Sequence, residues 1–232
     1  MVTYYKCELV SPPYILFMGA DKYENDKLIR WGWPEDVWFH VDKLSSAHVY
    51  LRLREGETLD DVPEAVIQDC AQLCKQNSIE GCKQNDVTIV YTMWENLRKT
   101  ADMEVGQVGF HTHKAVRKVT VAKRDSEILR RLEKTSTTLS PFSSSDNSKP
   151  TDESEDKGGQ EANIEARLRA EREARDSRER AKSRAAQRAR ERAEREVEKA
   201  RAAEAERRDY GRMFKAEAMR SNEDGYDSDD FM

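Results

Sequence analysis

The stretch Asp36-Val37-Trp38-Phe39-His40-Val41-Asp42-Lys43-Leu44-Ser45-Ser46-Ala47-His48-Val49-Tyr50-Leu51-Arg52 decides the fold. Residues 37–42 alternate apolar and polar, residues 48–53 do the same, and Leu44-Ser45-Ser46-Ala47 supplies the reversal between them. Successive side chains of a strand point to opposite faces. Val37, Phe39 and Val41 therefore share one face, and Trp38, His40 and Asp42 the other. In the second run Val49, Leu51 and Leu53 share a face opposite His48, Tyr50 and Arg52. Paired as a hairpin, the two runs make one side of pure core and one side carrying Trp38, His40, His48, Tyr50 and Arg52.

Working outward, residues 2–9 and 14–18 read as strands broken at Ser11-Pro12-Pro13. Asp21 with Glu24 three residues on is a capping-box signature for a helix carrying Leu28 and Ile29 and ending at Gly32. Asp61 with Glu64 repeats it, with Pro63 in the first turn of a helix that lines up Val62, Val66, Cys70, Leu73 and Cys74. Residues 87–93, 106–110 and 116–121 read as strands, and 126–134 as a closing helix. The order ββα, ββα, βββα with short links predicts an α+β fold: a mainly antiparallel sheet with helices packed on one face. The domain spans residues 1–134.

Beyond it the composition changes. Residues 135–160 are rich in Ser, Thr, Asp and Pro and read as a flexible linker. Residues 161–220 are almost all Glu, Arg, Ala and Lys, which gives high helix propensity throughout. Between Leu168 and Tyr210 the only large apolar residue is Val197, so a coiled-coil seam of sustained a and d positions is lacking. Acidic-first pairs such as Glu165–Arg169, Glu171–Arg175, Glu191–Arg195 and Glu204–Arg208 add about 0.3 kcal/mol each to a solvated helix. A single long charged helix is expected, with a weak coiled coil and disorder as alternatives. Residues 221–232 read as an acidic disordered tail.

The net charge of −5 is segregated: −7 over residues 1–97, +5 over 98–134, −3 over the linker, +5 over the helix and −5 over the tail. A basic stretch in the fold and another on the arm suit polyanions. Met1–Val10 has no signal-peptide core and no run of 18 apolar residues exists, so no transmembrane segment is expected. Cys7, Cys70, Cys74 and Cys82 are then reduced core thiols rather than disulfides or zinc ligands. The expected location is cytoplasmic, with the nucleus as a second compartment.

The ring-bearing face of the hairpin has planes to stack on bases and polar tips for phosphate, as in single-strand nucleic-acid binding. The structural alternative packs Trp38 and Tyr50 under a helix. Phe110-His111-Thr112-His113-Lys114 adds histidines among Lys114, Arg117 and Lys118, with Arg98 and Lys99 nearby. A His-rich metal site lacks a carboxylate at ligand spacing. No P-loop, GxGxxG, GxSxG or HExxH occurs. A non-enzymatic protein with no cofactor, no metal and no catalytic residue is expected.

Residues 19–28 followed by 36–52, with 96–103, 106–111 and the ending 227–232, resemble the NFACT-R domain, the RNA-binding module of the NFACT family. Within it they resemble most the eukaryotic coiled-coil domain-containing group. The pairing of Trp38-Phe39-His40 with His48-Val49 carries the likeness, which covers about residues 1–134. The resemblance implies RNA binding, with tRNA and the large ribosomal subunit as typical partners. It carries over Lys22, Asn25, Asp36, Trp38, His40, His48 and Arg52 as site positions. This chain has Ser46-Ala47-His48 where larger members have Gly-Ser-His, and it lacks their N-terminal and helix-hairpin-helix regions. Adding Tyr50, Arg98, Lys99, Lys114, Arg117 and Lys118 completes the candidate nucleic-acid surface. RNA is the first expected partner, DNA by the same domain an alternative. A protein-interaction scaffold acting through helix 161–220 is the rival reading.

Overall fold

The computed structural model describes residues 1–138 and 157–208. They form β1 (Thr3–Cys7), β2 (Tyr14–Met18), α1 (Lys22–Trp31), β3 (Asp36–Val41), β4 (Val49–Arg52), α2 (Glu64–Gln76), β5 (Val87–Met93), β6 (Leu97–Arg98), β7 (Gly109–Phe110), β8 (Arg117–Val121), α3 (Ser126–Glu133) and α4 (Lys157–Arg208). Six strands make one sheet in the order β1-β2-β4-β3-β5-β8, every pair antiparallel, while β6 and β7 form a small separate ladder. The α+β class, with an antiparallel sheet and helices packed on it, is the one the alternation predicts.

The hairpin register sets Val37 opposite Leu51, Trp38 opposite Tyr50 and Phe39 opposite Val49. The odd-numbered face of β3 buries Val37, Phe39 and Val41 with Val49, Leu51, Tyr91, Val66, Cys70 and Cys74 in a core roofed by α2 and α3. Cys7, Cys70 and Cys74 are buried free thiols and Cys82 is partly exposed. Cys7 donates to Asp69 Oδ2 (3.1 Å), which is also gripped by Arg131 Nη2 (2.6 and 2.9 Å to its two oxygens). Burial, with the Asp69 carboxylate, pushes the Cys7 thiol up to about 12.

The other face of the sheet, expected to stand open, is covered. Val2, Tyr4, Phe17, Trp38, Tyr50, Val90 and Leu97 pack there with Leu28 of α1 and with Ile164 and Leu168 of α4. Further contacts hold these first turns of α4 in place. Glu165 Oε1 accepts from Trp31 Nε1 (3.2 Å) and Arg30 (3.4 Å). Arg172 donates to the Gly32 carbonyl and lies over the Trp94 ring, and Arg175 pairs with Glu35. The compact unit built around the sheet accordingly runs from Met1 to Arg175. Gly32 is required here: a Cβ on it would lie 2.2 Å from Trp94 Nε1, the atom that donates to the Ile29 carbonyl (2.8 Å).

The α1 N-cap forms, with Asp21 Oδ1 accepting from Tyr23 N and Glu24 N, while Glu24 Oε2 reaches back one residue further to accept from Ala20 N (2.9 Å). The second one does not. Asp61 instead accepts from Thr58 N and Oγ1, and α2 starts at Glu64 after Pro63 with no side-chain cap. Thr137 extends the sheet edge by bridging Tyr4 in both directions (2.7 and 2.9 Å). The helix expected over 161–220 is present from Lys157 to Arg208. The 139–156 part of the linker, positions 209–220 and the tail 221–232 lie outside the described residues. Among the described residues, no helix is long and apolar enough to cross a membrane.

Candidate nucleic-acid interface

The β3–β4 register carried one step past Phe39–Val49 sets His40 opposite His48, and their rings meet edge to face at 5.0 Å. His40 lies flat on Trp38 (5.4 Å, 3°), and His48 meets Trp38 edge-on (5.3 Å). Phe110 of β7 closes on the far edge of Trp38 (5.7 Å), and His113 of the following turn meets Phe110 (5.9 Å). The rings grade from buried to solvated. Trp38 and His48 are buried, His40 and Phe110 half-buried, and His113 exposed. Asn96 holds the end of this row, its Nδ2 donating to Thr92 Oγ1 and the Thr112 carbonyl (both 3.0 Å) and its Oδ1 accepting from Thr112 N (2.8 Å).

The same face continues across the sheet: His40 pairs with Val90, and Val90 with Lys118. Lys118 is 62% exposed and reaches Asp42 (3.0 Å). Lys114 is exposed on the turn beside His113. Half-buried and exposed rings thus share one end of the sheet with exposed lysines.

Both central histidines are held neutral. Burial, reinforced by His40 and Lys99, pulls the His48 imidazole down to about 3, with Asp26 opposing. Burial also lowers His40, against its hydrogen bonds to the Val41 and Ser46 backbone. Nδ1 of His40 sits 2.7 Å from the Val41 carbonyl. Neutral imidazoles stack and hydrogen-bond, while the charge for phosphate comes from the lysines.

The other expected positions fall elsewhere. Trp38 (2% exposed) and Tyr50 (0%) are core residues. This is the packed arrangement the alternation left open, and Tyr50 stacks on Phe17 (5.1 Å, 9°) rather than offering a face to solvent. Asp36 and Arg52 are engaged with each other in a bidentate pair. Asn25 is buried in α1. Lys99 is tied to Asp26 (2.8 Å) and to the Glu104 and Gln107 carbonyls. Burial works against the Asp26 charge, yet Lys99, the Gly106 amide and Arg30 together hold its carboxyl below the usual range. Arg117 points to the opposite face from Lys118 and pairs with Asp60 (2.6 Å). Lys22 and Arg98 are exposed. Phe110 and His113, which the sequence reading noted without placing in the set, are the rings that reach solvent. Their signal was the aromatic-histidine run ahead of a basic strand. Among the described residues no three His, Cys, Asp or Glu side chains are arranged to hold a metal ion.

At this end of the sheet a buried stacking core opens into half-buried and exposed rings beside exposed lysines. The family model described as the NFACT protein RNA binding domain matches residues 1–112. Coiled-coil domain-containing protein 25 of Danio rerio is 53% identical over 232 residues, spanning the full length of both chains. The protein of the same name from Bos taurus is 49% identical over 233 residues, again the whole of both. A homolog from Dictyostelium discoideum is 58% identical over 135 residues, 58% of this chain and 65% of its own. The chain belongs to the NFACT RNA-binding-domain family, in the group of the coiled-coil domain-containing protein 25 relatives.

Proposed function

We propose that this protein is a non-catalytic RNA-binding adaptor of the cytoplasm that works on tRNA or the ribosome. The observation that carries this reading is the graded ring row from Trp38 through His40 and Phe110 to His113, flanked by Lys114 and Lys118. The buried rings fix the geometry of the exposed ones, so stacking costs little ordering. A phosphate displaces Asp42 as the partner of Lys118.

The test is binding of the full chain to single-stranded RNA. His113→Ala with Phe110→Leu, which keeps an apolar side chain at 110, should weaken binding about tenfold, in line with about 1–3 kcal/mol per stacked base. Lys114→Gln with Lys118→Gln should flatten the salt dependence. Full-strength binding by both variants would sink the proposal. Tighter binding to DNA of the same sequence would move the ligand class from RNA to DNA.

A further inference from the structure

The charge of the arm is not spread along it. Residues 163–177 carry four basic and four acidic side chains, and 193–208 five and five. Residues 178–192 carry seven and two. All the net positive charge of this described part of α4 sits in four turns.

Within those turns most of the charge shares one side; Arg190 faces the other way and Arg180 borders the stripe. Arg184, Arg188 and Arg192 follow at i, i+4 and i+8, on one face of a helix. Arg178, Lys182 and Arg195 lie on the same half of the cylinder, spaced by Ser177, Ala181, Ala185 and Ala189. The acidic residues Asp176, Glu179 and Glu194 fall on the other half, and Glu191, four residues before Arg195, stands at its border. Like charges four apart destabilise a helix, and ion pairs relieve this elsewhere on the arm: Arg167–Glu171, Arg169–Glu173, Lys182–Glu179, Lys199–Glu196 and Arg208–Glu204. Among the described residues Arg184, Arg188, Arg192 and Arg195 have no such pair, and all four are exposed. Arg178, Arg180, Arg190, Arg201 and Arg207 also lack a pair among the described residues, so what sets the stripe apart is charge density: residues 180–190 carry five basic side chains and no acidic one.

We infer that this stripe is a second nucleic-acid site, taking the phosphate backbone of a double-stranded RNA. Guanidinium groups suit phosphate oxygens in planar, two-pronged contacts. A straight helix presents its stripe at steps of about 6 Å, of the order of two phosphate steps along one strand of a duplex, which are about 3.4 Å of rise each in B-DNA. A regular, rigid array on the protein fits a regular array on a duplex better than a flexible single strand. An anionic membrane surface fits poorly, because an interfacial helix needs a large apolar face opposite its charges. The only large apolar side chain between Asp176 and Arg208 is Val197.

The experiment uses the full chain. Arg184→Gln/Arg188→Gln/Arg192→Gln is compared with Arg190→Gln/Arg201→Gln/Arg208→Gln, which removes the same charge from the opposite face. Glutamine keeps helix propensity close to that of arginine. Binding to a duplex RNA of about 20 base pairs is titrated against salt. The stripe variant should lose about tenfold in affinity at low salt and about two to three units of salt slope, at about 0.9 per phosphate contact. The opposite-face variant should lose much less. Equal losses would mean that only net charge matters and would overturn the site, as would parent-like binding by the stripe variant. Loss of binding to phosphatidylserine vesicles with duplex binding intact would also overturn it in favour of a lipid surface. The Lys114/Lys118 and His113/Phe110 variants, measured on single-stranded RNA, report on the sheet-end site separately, so either site can fail without the other.

Discussion

Asp36 and Arg52 close a bidentate ion pair across the β3–β4 ladder, with Nε to Oδ1 at 2.7 Å and Nη2 to Oδ2 at 2.9 Å. Asp36 is fully buried and also accepts from Trp33 N (2.7 Å), while the guanidinium lies 3.6 Å from the Trp33 ring centre. Removing one partner leaves the other as an uncompensated buried charge. Arg52→Ala should therefore cost about 3–5 kcal/mol in urea unfolding. The salt slope of RNA binding should stay unchanged in the fraction that folds. A folded, fully stable variant with a shallower slope would make Arg52 a phosphate contact after all.

The fate of Arg52 shows how far the sequence was legible. Alternation over residues 37–53 correctly assigned each side chain to a face, because parity is a property of the strand itself. It did not say what lies over each face. Ile164 and Leu168, which pack with Trp38 and Tyr50, come from the first turns of a helix 52 residues long. An amphipathic pattern that lasts two turns is lost in the average over such a helix. Parity would also have separated Arg117 from Lys118, since neighbours on a strand face opposite ways. The Asp21–Glu24 cap was readable because all its hydrogen bonds are local. The His40–Phe110–His113 row was not, because β7 reaches Trp38 only through tertiary packing.

His48 makes stability depend on pH. Its imidazole titrates near 3 when folded and near 6.5 when free. Between those values the unfolded chain holds the extra proton, so acidification favours unfolding and stability rises with pH through that window. From this group alone the slope approaches about 1.4 kcal/mol per pH unit as pH falls well below about 6. Thermal melts of the parent and of His48→Gln between about pH 4 and about pH 6, inside the window, check this. The variant should show the shallower loss on the acid side. Parallel curves would mean that His48 is not held neutral by the fold.

The first turns of α4 belong to the folding unit. Ile164 and Leu168 are buried against the second core, and Trp31 and Trp94 lie beneath Arg169 and Arg172. Ile164→Ala with Leu168→Ala in the full chain should lower unfolding free energy by about 2 kcal/mol per residue. Tryptophan emission should shift to the red as the rings gain water. A chain ending at residue 138 that matched the full protein in stability would contradict this assignment.

Trp38 and Tyr50 separate a structural role from a binding role most sharply. They face each other across β3 and β4, both lie in the second core, and Trp38 also carries the stacked His40 and the edges of His48 and Phe110. Replacing either ring with alanine leaves a cavity that α1 and α4, anchored by their own contacts, cannot collapse to fill. Each substitution should cost about 3–5 kcal/mol, and because the two side chains share one core the double variant need not be additive. Burial holds the Tyr50 hydroxyl well above its usual titration range, in keeping with a ring enclosed in the core. Trp38→Ala/Tyr50→Ala should therefore lose cooperative unfolding, and any loss of RNA binding should track the unfolded fraction. His113→Ala should do the reverse, keeping the melting curve while weakening binding. If the double variant melts like the parent yet loses RNA, the covering face must lift to expose those rings, and the interface would extend beneath α1 and the start of α4.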